Sequence, residues 1–271
     1  MFKVGFFQFA PGFGKVKENR STIAAALAHA GADLVVLPEL PFTGYLFENR
    51  AELMGLAESP KASATLDGLS ELCAKKDFFL VTGFAERTED RVFNSAVLLG
   101  PSGVLQVYRK LHLFNTEKEY FDPGDEPLGV HEIRGVKVGM MVCFDWAFPE
   151  VARVLALQGA DVICHPSNLV LTFCQETMRA RCIENGFYAV TCNRYGTERR
   201  PRGELTFTGQ SQVVGPKGEV LVRAAPDQDE LAVVEIDPEK ARDKSITAKN
   251  DLLADRRPEF YRDLVSPYFE T

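Results

Sequence analysis

Residues 136–142 have the sequence VKVGMMV, and this apolar run is the starting point for predicting the fold. Its length and composition indicate a buried strand that ends next to Cys143. A helical pattern follows over Pro149–Gln158 and stops at Gly159, and another apolar strand is predicted over Asp161–His165. Strand, helix and strand in this order are typical of an α/β fold in which helices cover the faces of a sheet.

The same alternation of apolar and amphipathic segments extends over the rest of the chain. Further helices are predicted over Lys15–Ala30, Ala62–Lys76 and Thr172–Gly186. Single strands are predicted over Lys3–Phe9, Asp33–Leu37, Phe78–Thr82, Phe187–Cys192 and Leu231–Ile236, and hairpins over Val92–Leu99 with Val104–Tyr108 and over Ser211–Val214 with Glu219–Arg223. Because no linker, internal repeat or compositional break interrupts the pattern, we expect a single α/β domain over residues 1–271.

The composition is typical of a globular protein, with 45% hydrophobic and 25% charged residues. The formal net charge of -7 gives no electrostatic reason to expect nucleic acid or an anionic membrane as a partner. The short basic patch at Arg199, Arg200 and Arg202 is interpreted as a solvated loop. No apolar run is long enough to cross a bilayer and no secretory signal is evident, so a soluble, cytoplasmic protein is expected.

Six cysteines and four histidines could in principle hold a metal or form disulfides. The cysteines are too sparse for a disulfide scaffold, and no pair has the two-residue spacing of a zinc or redox motif. The histidines form no metal-like cluster in the sequence. We therefore expect free thiols, no metal and no cofactor, which leaves the question whether one thiol is reactive.

Three residues of reactive types, Glu39, Lys110 and Cys143, each follow the end of an apolar strand. In α/β sheets, ligands bind beyond the carboxyl ends of the strands, because the strands hold the loop residues there rigidly. If the three ends meet, they supply a carboxylate, an ammonium and a thiol. The ammonium would stabilise a thiolate and an oxyanion, and the carboxylate would take the thiol proton. Attack on an amide carbonyl would then give a thioester, which Glu39 could help water to hydrolyse.

Each of these residues also has a purely structural interpretation. A cysteine in an apolar strand is more often inert core, Glu39 could face water, and Lys110 could form a solvated charge pair with Arg109. The occurrence of all three at strand ends favours a functional site over these alternatives. The sequence has no Gly-x-Ser-x-Gly turn of a serine hydrolase. A non-catalytic binding protein remains an alternative from the residues alone.

Around these residues the sequence resembles the nitrilase superfamily of carbon–nitrogen hydrolases. The resemblance spans almost the whole chain and rests on segments that occur in the family's order. They are Leu37-Pro38-Glu39 with residues 42–45 (FTGY), residues 108–114 (YRKLHLF), 119–124 (EYFDPG), 143–150 (CFDWAFPE) and 179–185 (RARCIEN), then Asn193-Arg194, residues 209–211 (GQS), and 255–258 (DRRP) with Tyr261.

The resemblance implies an α-β-β-α sandwich that becomes four-layered when two copies form a homodimer, sometimes within larger oligomers. It implies that Cys143 is the nucleophile, Glu39 the general base and Lys110 the charged support. It also matches Glu119 to a second glutamate that lies near these three and helps to position the substrate. His112 is expected to be structural, because the family's mechanism needs no imidazole.

The residues that follow the nucleophile indicate a branch of the family. Nitrilases usually have Cys-Trp-Glu there, whereas Cys143-Phe144-Asp145 resembles an amidase or an N-carbamyl-amine hydrolase. We therefore expect a small-molecule amide or carbamyl substrate, with nitrile hydrolysis as the alternative. An omega-amidase, an aliphatic amidase and a carbamylase all remain possible. The candidate substrate-binding residues are Tyr45, Phe144, Trp146, Asn168 and Phe173.

Overall fold

The computed structural model describes residues 1–266, which form two six-stranded sheets, two short hairpins and the helices that cover the sheets. The strands, numbered in chain order, are β1 Phe2–Gln8, β2 Leu34–Val36, β3 Phe79–Arg87, β4 Val92–Gly100, β5 Gly103–Arg109, β6 Val130–Ile133, β7 Val136–Met140, β8 Val162–Ser167, β9 Tyr188–Asn193, β10 Tyr195–Arg200, β11 Gly203–Thr208, β12 Gln212–Val214, β13 Val220–Arg223, β14 Glu230–Ile236, β15 Ser245–Thr247 and β16 Asn250–Asp251. The helices are α1 Val16–Leu27, α2 Arg50–Leu56, α3 Ala64–Lys76, α4 Glu117–Tyr120, α5 Pro149–Leu157, α6 Cys174–Asn185 and α7 Glu239–Arg242, with 3-10 helices over Cys143–Ala147, Pro258–Phe260 and Arg262–Val265.

Both sheets have the same plan, with three parallel strands at the centre and antiparallel strands outside. The first sheet has the order β14-β1-β2-β3-β4-β5, in which β1, β2 and β3 are parallel. The second has the order β13-β12-β9-β8-β7-β6, in which β7, β8 and β9 are parallel. Parallel strands need both faces covered, which explains their continuous apolar sequences.

The main core lies between the two sheets. Buried side chains of one sheet, such as Val4 and Val36, belong to the same apolar cluster as Val138 and Val162 of the other. On the outer face of the first sheet, α1 and α3 bury a second cluster that includes Ile23 and Leu66. Helices α5 and α6 pack on the outer face of the second sheet. The predicted α-β-β-α sandwich is therefore confirmed.

The helices begin and end where local chemistry favours it. The side chain of Ser63 accepts a hydrogen bond from the N–H of Leu66 and caps the start of α3. Pro149 is the first residue of α5, a position that needs no N–H donor. Gly186 ends α6 with φ of +63°, a left-handed conformation that glycine adopts without steric cost. These signals explain why the predicted helices are found within a few residues of their expected bounds.

Two features of the fold differ from the sequence-based expectations. The strand predicted over residues 136–142 ends at Met140, because the backbone turns sharply toward Cys143. The patch around Arg199 is not a solvated loop but part of the hairpin formed by β10 and β11. Arg200 forms ion pairs with Glu48 and Glu52, whereas Arg199 is exposed and Arg202 lies in the exposed turn, so the interpretation as a solvated loop was wrong for part of the patch. The predicted single domain also includes residues 267–271, which lie outside the described residues.

Candidate active site

Cys143 lies on a sharp turn after the central strand β7 of the second sheet. Its φ of +41° falls in the left-handed region, where a non-glycine residue is strained unless its surroundings hold it. A 3-10 helix begins at Cys143, so the N–H of Phe144 belongs to a first turn that has no intrahelical acceptor. The turn therefore presents a thiol and a backbone donor side by side at the carboxyl end of a strand.

The carboxylate of Asp145 fixes this turn from one side. One oxygen accepts hydrogen bonds from the N–H of Val142 at 2.9 Å and from the hydroxyl of Tyr108 at 2.7 Å. The other accepts from the N–H of His112 and lies 2.8 Å from the Nδ1 atom of the same residue. The His112 ring also stacks on Phe148, with centroids 3.5 Å apart. His112 thus contacts the turn through Asp145, consistent with a structural role.

His165 fixes the turn from the other side. Its Nε2 atom lies 2.9 Å from the carbonyl oxygen of Cys143, and because that oxygen can only accept, Nε2 carries the proton. Nδ1 then accepts from the hydroxyl of Thr191 at 3.2 Å. The ring is inaccessible to solvent, and burial lowers the pKa of His165 to about 4, so the imidazole is neutral at pH 7.

Lys110 lies between two carboxylates in a fully buried cluster. Its Nζ atom is 2.7 Å from Oε1 of Glu39 and 2.9 Å from a carboxylate oxygen of Glu117. The amide of Asn94 donates to the same Glu39 oxygen at 2.6 Å. The other Glu39 oxygen, Oε2, is buried and has no hydrogen-bond partner among residues 1–266. One oxygen of Glu39 therefore binds the lysine while the other can accept a proton.

The charges in the cluster determine which groups are ionised. Burial alone would lower the pKa of Lys110, but the carboxylates of Glu117 and Glu39 raise it above its usual value, so the ammonium persists. Burial raises the pKa of Glu39 despite its contact with Lys110. Burial and the carboxylate of Glu39 raise the pKa of Cys143 well above its usual range, in spite of Lys110. The resting site thus holds a neutral thiol next to a carboxylate of increased basicity.

The structure places Glu117, not Glu119, beside the three predicted residues. The side chain of Glu119 is about half exposed, at 53%, and forms an ion pair with Arg202. Glu117 is buried, contacts Lys110 and accepts a hydrogen bond from the hydroxyl of Tyr45 at 2.6 Å. The two glutamates are two positions apart on α4, which turns about 200° between them, so only one can face the site. The expectation that Glu119 lies near Cys143 is therefore wrong.

A narrow cavity adjoins the thiol. Its lining residues are Phe114, Cys143, Phe144, Trp146, Asn168, Leu169, Val170 and Leu171. Three of the five predicted substrate-binding residues are among them. Of the other two, Tyr45 contacts Glu117 instead, and Phe173 is exposed but packs edge-on against Trp146, with centroids 5.5 Å apart.

Asn168 has the one amide side chain in the lining, where the other polar groups on side chains are the thiol of Cys143 and the indole N–H of Trp146. The residue is 3% exposed, and neither its amide nitrogen nor its amide oxygen has a partner within the described part of the chain. Its backbone N–H also hydrogen-bonds the thiol of Cys143 and favours the thiolate. A buried amide without partners is costly, so it is available to bind polar atoms of a molecule in the cavity.

Comparison with known proteins agrees with this geometry. Residues 4–244 match the family described as carbon–nitrogen hydrolase. The chain belongs to the carbon–nitrogen hydrolase family. It is 43% identical to a nitrilase of Pyrococcus abyssi over 264 residues, which cover 96% of this chain and 99% of the relative. The prediction of an enzyme from the nitrilase superfamily that hydrolyses carbon–nitrogen bonds is therefore confirmed.

Solved structures of the same family share its fold. A carbon–nitrogen hydrolase from Helicobacter pylori G27 matches with a TM-score of 0.90 and 30% identity, covering 99% of both chains. An amidase variant from Nesterenkonia sp. AN1, which shows the result of Michael addition of acrylamide at its active-site cysteine, matches with a TM-score of 0.83 and 27% identity. It covers 97% of this chain and 99% of its own.

Other features of the described residues bear on what the protein can bind. All six cysteines are free and buried, and Cys143 is the one that lines the cavity described above. Within residues 1–266, no group of three or more His, Cys, Asp and Glu side chains is arranged to hold a metal ion. In the same range, no helix is both long enough and apolar enough to span a membrane.

The buried imidazole of His165 predicts a specific dependence of stability on pH. Its pKa falls from 6.5 to about 4 on folding, so the unfolded chain binds the proton more tightly and stability decreases as pH falls from 6.5 toward 4. His165→Gln keeps a donor for the Cys143 carbonyl without titrating. Between pH 7 and pH 5, we expect the wild type to lose about 2 kcal/mol of unfolding free energy relative to this variant. Denaturant unfolding at both pH values measures the difference, and parallel pH dependences would contradict the neutral imidazole.

Proposed function

We propose that the protein hydrolyses small neutral amides through a thioester on Cys143. The observation that carries the proposal is the buried cluster of Glu39, Lys110 and Glu117 next to a thiol that opens on an apolar cavity. Free Oε2 of Glu39 supplies an acceptor for the thiol proton. A solely binding or structural protein would have no need of a buried ammonium between two carboxylates, because burying such charges is costly.

In the proposed first step, the thiol of Cys143 transfers its proton to Glu39 while the sulfur attacks the amide carbonyl. Because burial raises the pKa of Cys143 well above its usual range, the thiol is neutral at rest and gives up its proton as the sulfur attacks. The carbonyl oxygen becomes an oxyanion, which the ammonium of Lys110 and the N–H of Phe144 stabilise by hydrogen bonds.

The remaining steps use the same groups. Glu39 returns the proton to the leaving nitrogen, the carbon–nitrogen bond breaks, and ammonia or an amine departs from the thioester. Glu39 then removes a proton from water as the water attacks the thioester carbonyl. Collapse of this second tetrahedral intermediate releases the carboxylic acid and restores the thiol of Cys143.

We propose that Glu117 takes the place beside the three residues that was expected of Glu119, and that it acts by holding Lys110. Its carboxylate holds the ammonium of Lys110 in place from the side opposite Glu39 and keeps it charged. With two carboxylates beside it, Lys110 has a fixed position and does not need to reorganise as the oxyanion forms. Glu117 therefore acts on the reaction chiefly through Lys110.

The lining of the cavity favours a substrate with an uncharged acyl group. Among the described residues that line it, none is an acid, a lysine or an arginine, and most are aromatic or aliphatic. A charged acyl group would lose its hydration there without gaining an opposite charge. Asn168 has a donor and an acceptor free for the substrate's carboxamide. These features favour an amide with a short apolar acyl group over a carbamyl compound of a charged amine or an amide of a dicarboxylic acid.

Nitrile hydrolysis is the second candidate, because the relative from Pyrococcus abyssi is named a nitrilase. A nitrile of the same acyl skeleton would meet the same apolar lining. It has no carboxamide hydrogen for the amide oxygen of Asn168 to bind, which favours the amide. The homodimer implied by the family resemblance and the cytoplasmic location expected from the sequence stay predictions.

A panel of substrates matched in size tests the proposed specificity. Isobutyramide, isobutyronitrile, succinamic acid and the monocarbamyl derivative of a short diamine differ in charge and in the bond that is broken. We expect isobutyramide to have the highest kcat/KM, with ammonia as the measured product. Cys143→Ala should abolish this hydrolysis while circular dichroism shows an intact fold. Preference for a charged compound, or full activity of the alanine variant, would contradict the proposal.

The two glutamates of α4 provide a matched pair of variants. Glu117→Gln removes a negative charge beside Lys110, and we expect kcat to fall roughly 100-fold, as for loss of an oxyanion-hole donor. Glu119→Gln removes only a surface ion pair with Arg202, so its kcat should stay within about threefold of the wild type. Steady-state kinetics on the preferred amide measure both effects. The reverse order of the two losses would restore Glu119 to the role first expected of it.

A further inference from the structure

The hairpin formed by β10 and β11 contacts the two segments that carry acidic residues of the site. The first is the loop between β2 and α2, with Glu39 at its start, and the second is the short helix α4 with Glu117. Arg200 of the hairpin pairs with Glu48 and Glu52, which flank the start of α2. Arg202 pairs with Glu119 on the outer side of α4. The hairpin thus connects the loop and the helix at the surface.

The same hairpin also makes a buried contact with the loop between β2 and α2, through Glu198. Glu198 of β10 is 5% exposed in its side chain and forms an ion pair with Arg194, whose Nη1 atom is 2.6 Å away. Its carboxylate also accepts hydrogen bonds from the N–H of Tyr45, at 3.0 Å, and from the N–H of Leu46. One side chain therefore binds two successive backbone donors of a loop more than 150 positions away in the sequence.

Tyr45 connects these contacts to the charged cluster. Its backbone is bound by Glu198, and its hydroxyl donates to Oε1 of Glu117 at 2.6 Å. Its ring packs edge-on against Phe207 of β11, with centroids 6.0 Å apart, and the guanidinium of Arg194 lies over the Phe207 ring, 4.2 Å from its centroid. Both ends of Tyr45 are thus held, one by the hairpin and one by the carboxylate that binds Lys110.

The loop backbone at Gly44 packs closely on the carboxylate of Glu198. Gly44 has φ of +84°, and a Cβ there would lie 2.8 Å from the ring of Phe13 and 3.1 Å from the carboxylate of Glu198. The loop backbone therefore packs directly on the glutamate. A different side chain at position 198 would therefore shift the backbone of Tyr45, because the carboxylate of Glu198 contacts that backbone directly.

We propose that Glu198 is a positioning residue for the reaction, which holds Tyr45 so that its hydroxyl keeps Glu117 against Lys110. The inference rests on the proposed function, because it assigns Glu198 an effect on the step that Lys110 stabilises. Arg194 neutralises the carboxylate, so that its remaining lone pairs can bind the two N–H groups without leaving an unpaired buried charge. Glu198 does not touch the cavity and acts only through Tyr45 and Glu117.

Glu198→Gln and Tyr45→Phe test the two ends of this connection. The first removes the ion pair and one acceptor oxygen, and the second removes only the hydroxyl that contacts Glu117. We expect each to lower kcat about 10-fold or more, because small displacements of catalytic groups are costly, while KM changes much less. Glu204→Gln is the matched control, since Glu204 lies in the same hairpin but pairs with Arg199 at the surface. Its kcat should equal that of the wild type.

The double variant distinguishes positioning from general stabilisation of the fold. If Glu198 acts through Tyr45, the double variant should lose no more kcat than the more impaired single variant. If the two losses multiply, or if Glu198→Gln lowers the unfolding temperature but leaves kcat unchanged, the inference is overturned. Tyr45→Phe keeps the test decisive should Glu198→Gln fail to fold, because an unchanged kcat in Tyr45→Phe also overturns it.

A readout that does not need turnover separates this inference from the proposed function. We expect the rate at which acrylamide alkylates Cys143, measured by mass spectrometry of the peptide that contains Cys143, to depend on the placement of Lys110 near the acrylamide carbonyl. We expect slower alkylation in Glu198→Gln and in Tyr45→Phe, and an unchanged rate in Glu204→Gln. A wild type that is alkylated but hydrolyses no amide would contradict the proposed function alone. Equal alkylation rates in all four proteins would contradict the positioning role.

Discussion

The ammonium of Lys110, held between the carboxylates of Glu39 and Glu117, is the interaction on which the rest of the site depends. All three side chains are buried, and a buried charge is tolerated only where its partners are close and fixed. The two carboxylates together carry more negative charge than the positive charge of the single ammonium. Burial disfavours a thiolate at Cys143, and the carboxylate of Glu39 disfavours it further, so the neutral thiol is favoured at rest.

This cluster constrains the packing around it. A Cβ on Gly83 of β3 would lie 2.4 to 2.7 Å from the backbone of residues 38–40, so the loop that carries Glu39 rests directly on the strand. A Cβ on Gly124 would lie 2.2 Å from the carbonyl oxygen of Arg109, next to Lys110. Two glycines therefore allow the backbone to approach the residues on both sides of the ion pair. Because closely packed backbones shift little, the charged atoms keep their distances.

Much of this arrangement could be predicted from the sequence. The apolar runs that precede Glu39, Lys110 and Cys143 predict strands that end at these residues. In the structure, the carboxyl ends of these strands meet at one edge of the two facing sheets. The N–H of Glu39 even donates to the carbonyl oxygen of Ser167 from the opposite sheet, at 3.4 Å. Hydrophobic patterning was sufficient here because burial of these strands determines the topology, and the topology determines where their ends lie.

Glu117 was missed although the sequence contained a signal for it. It precedes the buried residue Tyr120 by three positions, the spacing that puts side chains on one face of a helix, whereas Glu119 directly precedes Tyr120. The hairpin of β10 and β11 was missed for a different reason. Its strands are mostly polar, and the burial of Glu198 depends on partners, Arg194 and the loop at Tyr45, that local patterning cannot relate to it.

Trapping the intermediate is the most direct test for a covalent thioester on Cys143. Acid quenching during turnover of isobutyramide, followed by proteolysis and mass spectrometry, locates any acyl group. We predict an added isobutyryl mass on the peptide that contains Cys143, and loss of that mass on treatment with hydroxylamine. An acyl group on another residue, or steady turnover with no acylated peptide in a quench fast enough to capture it, would contradict the account.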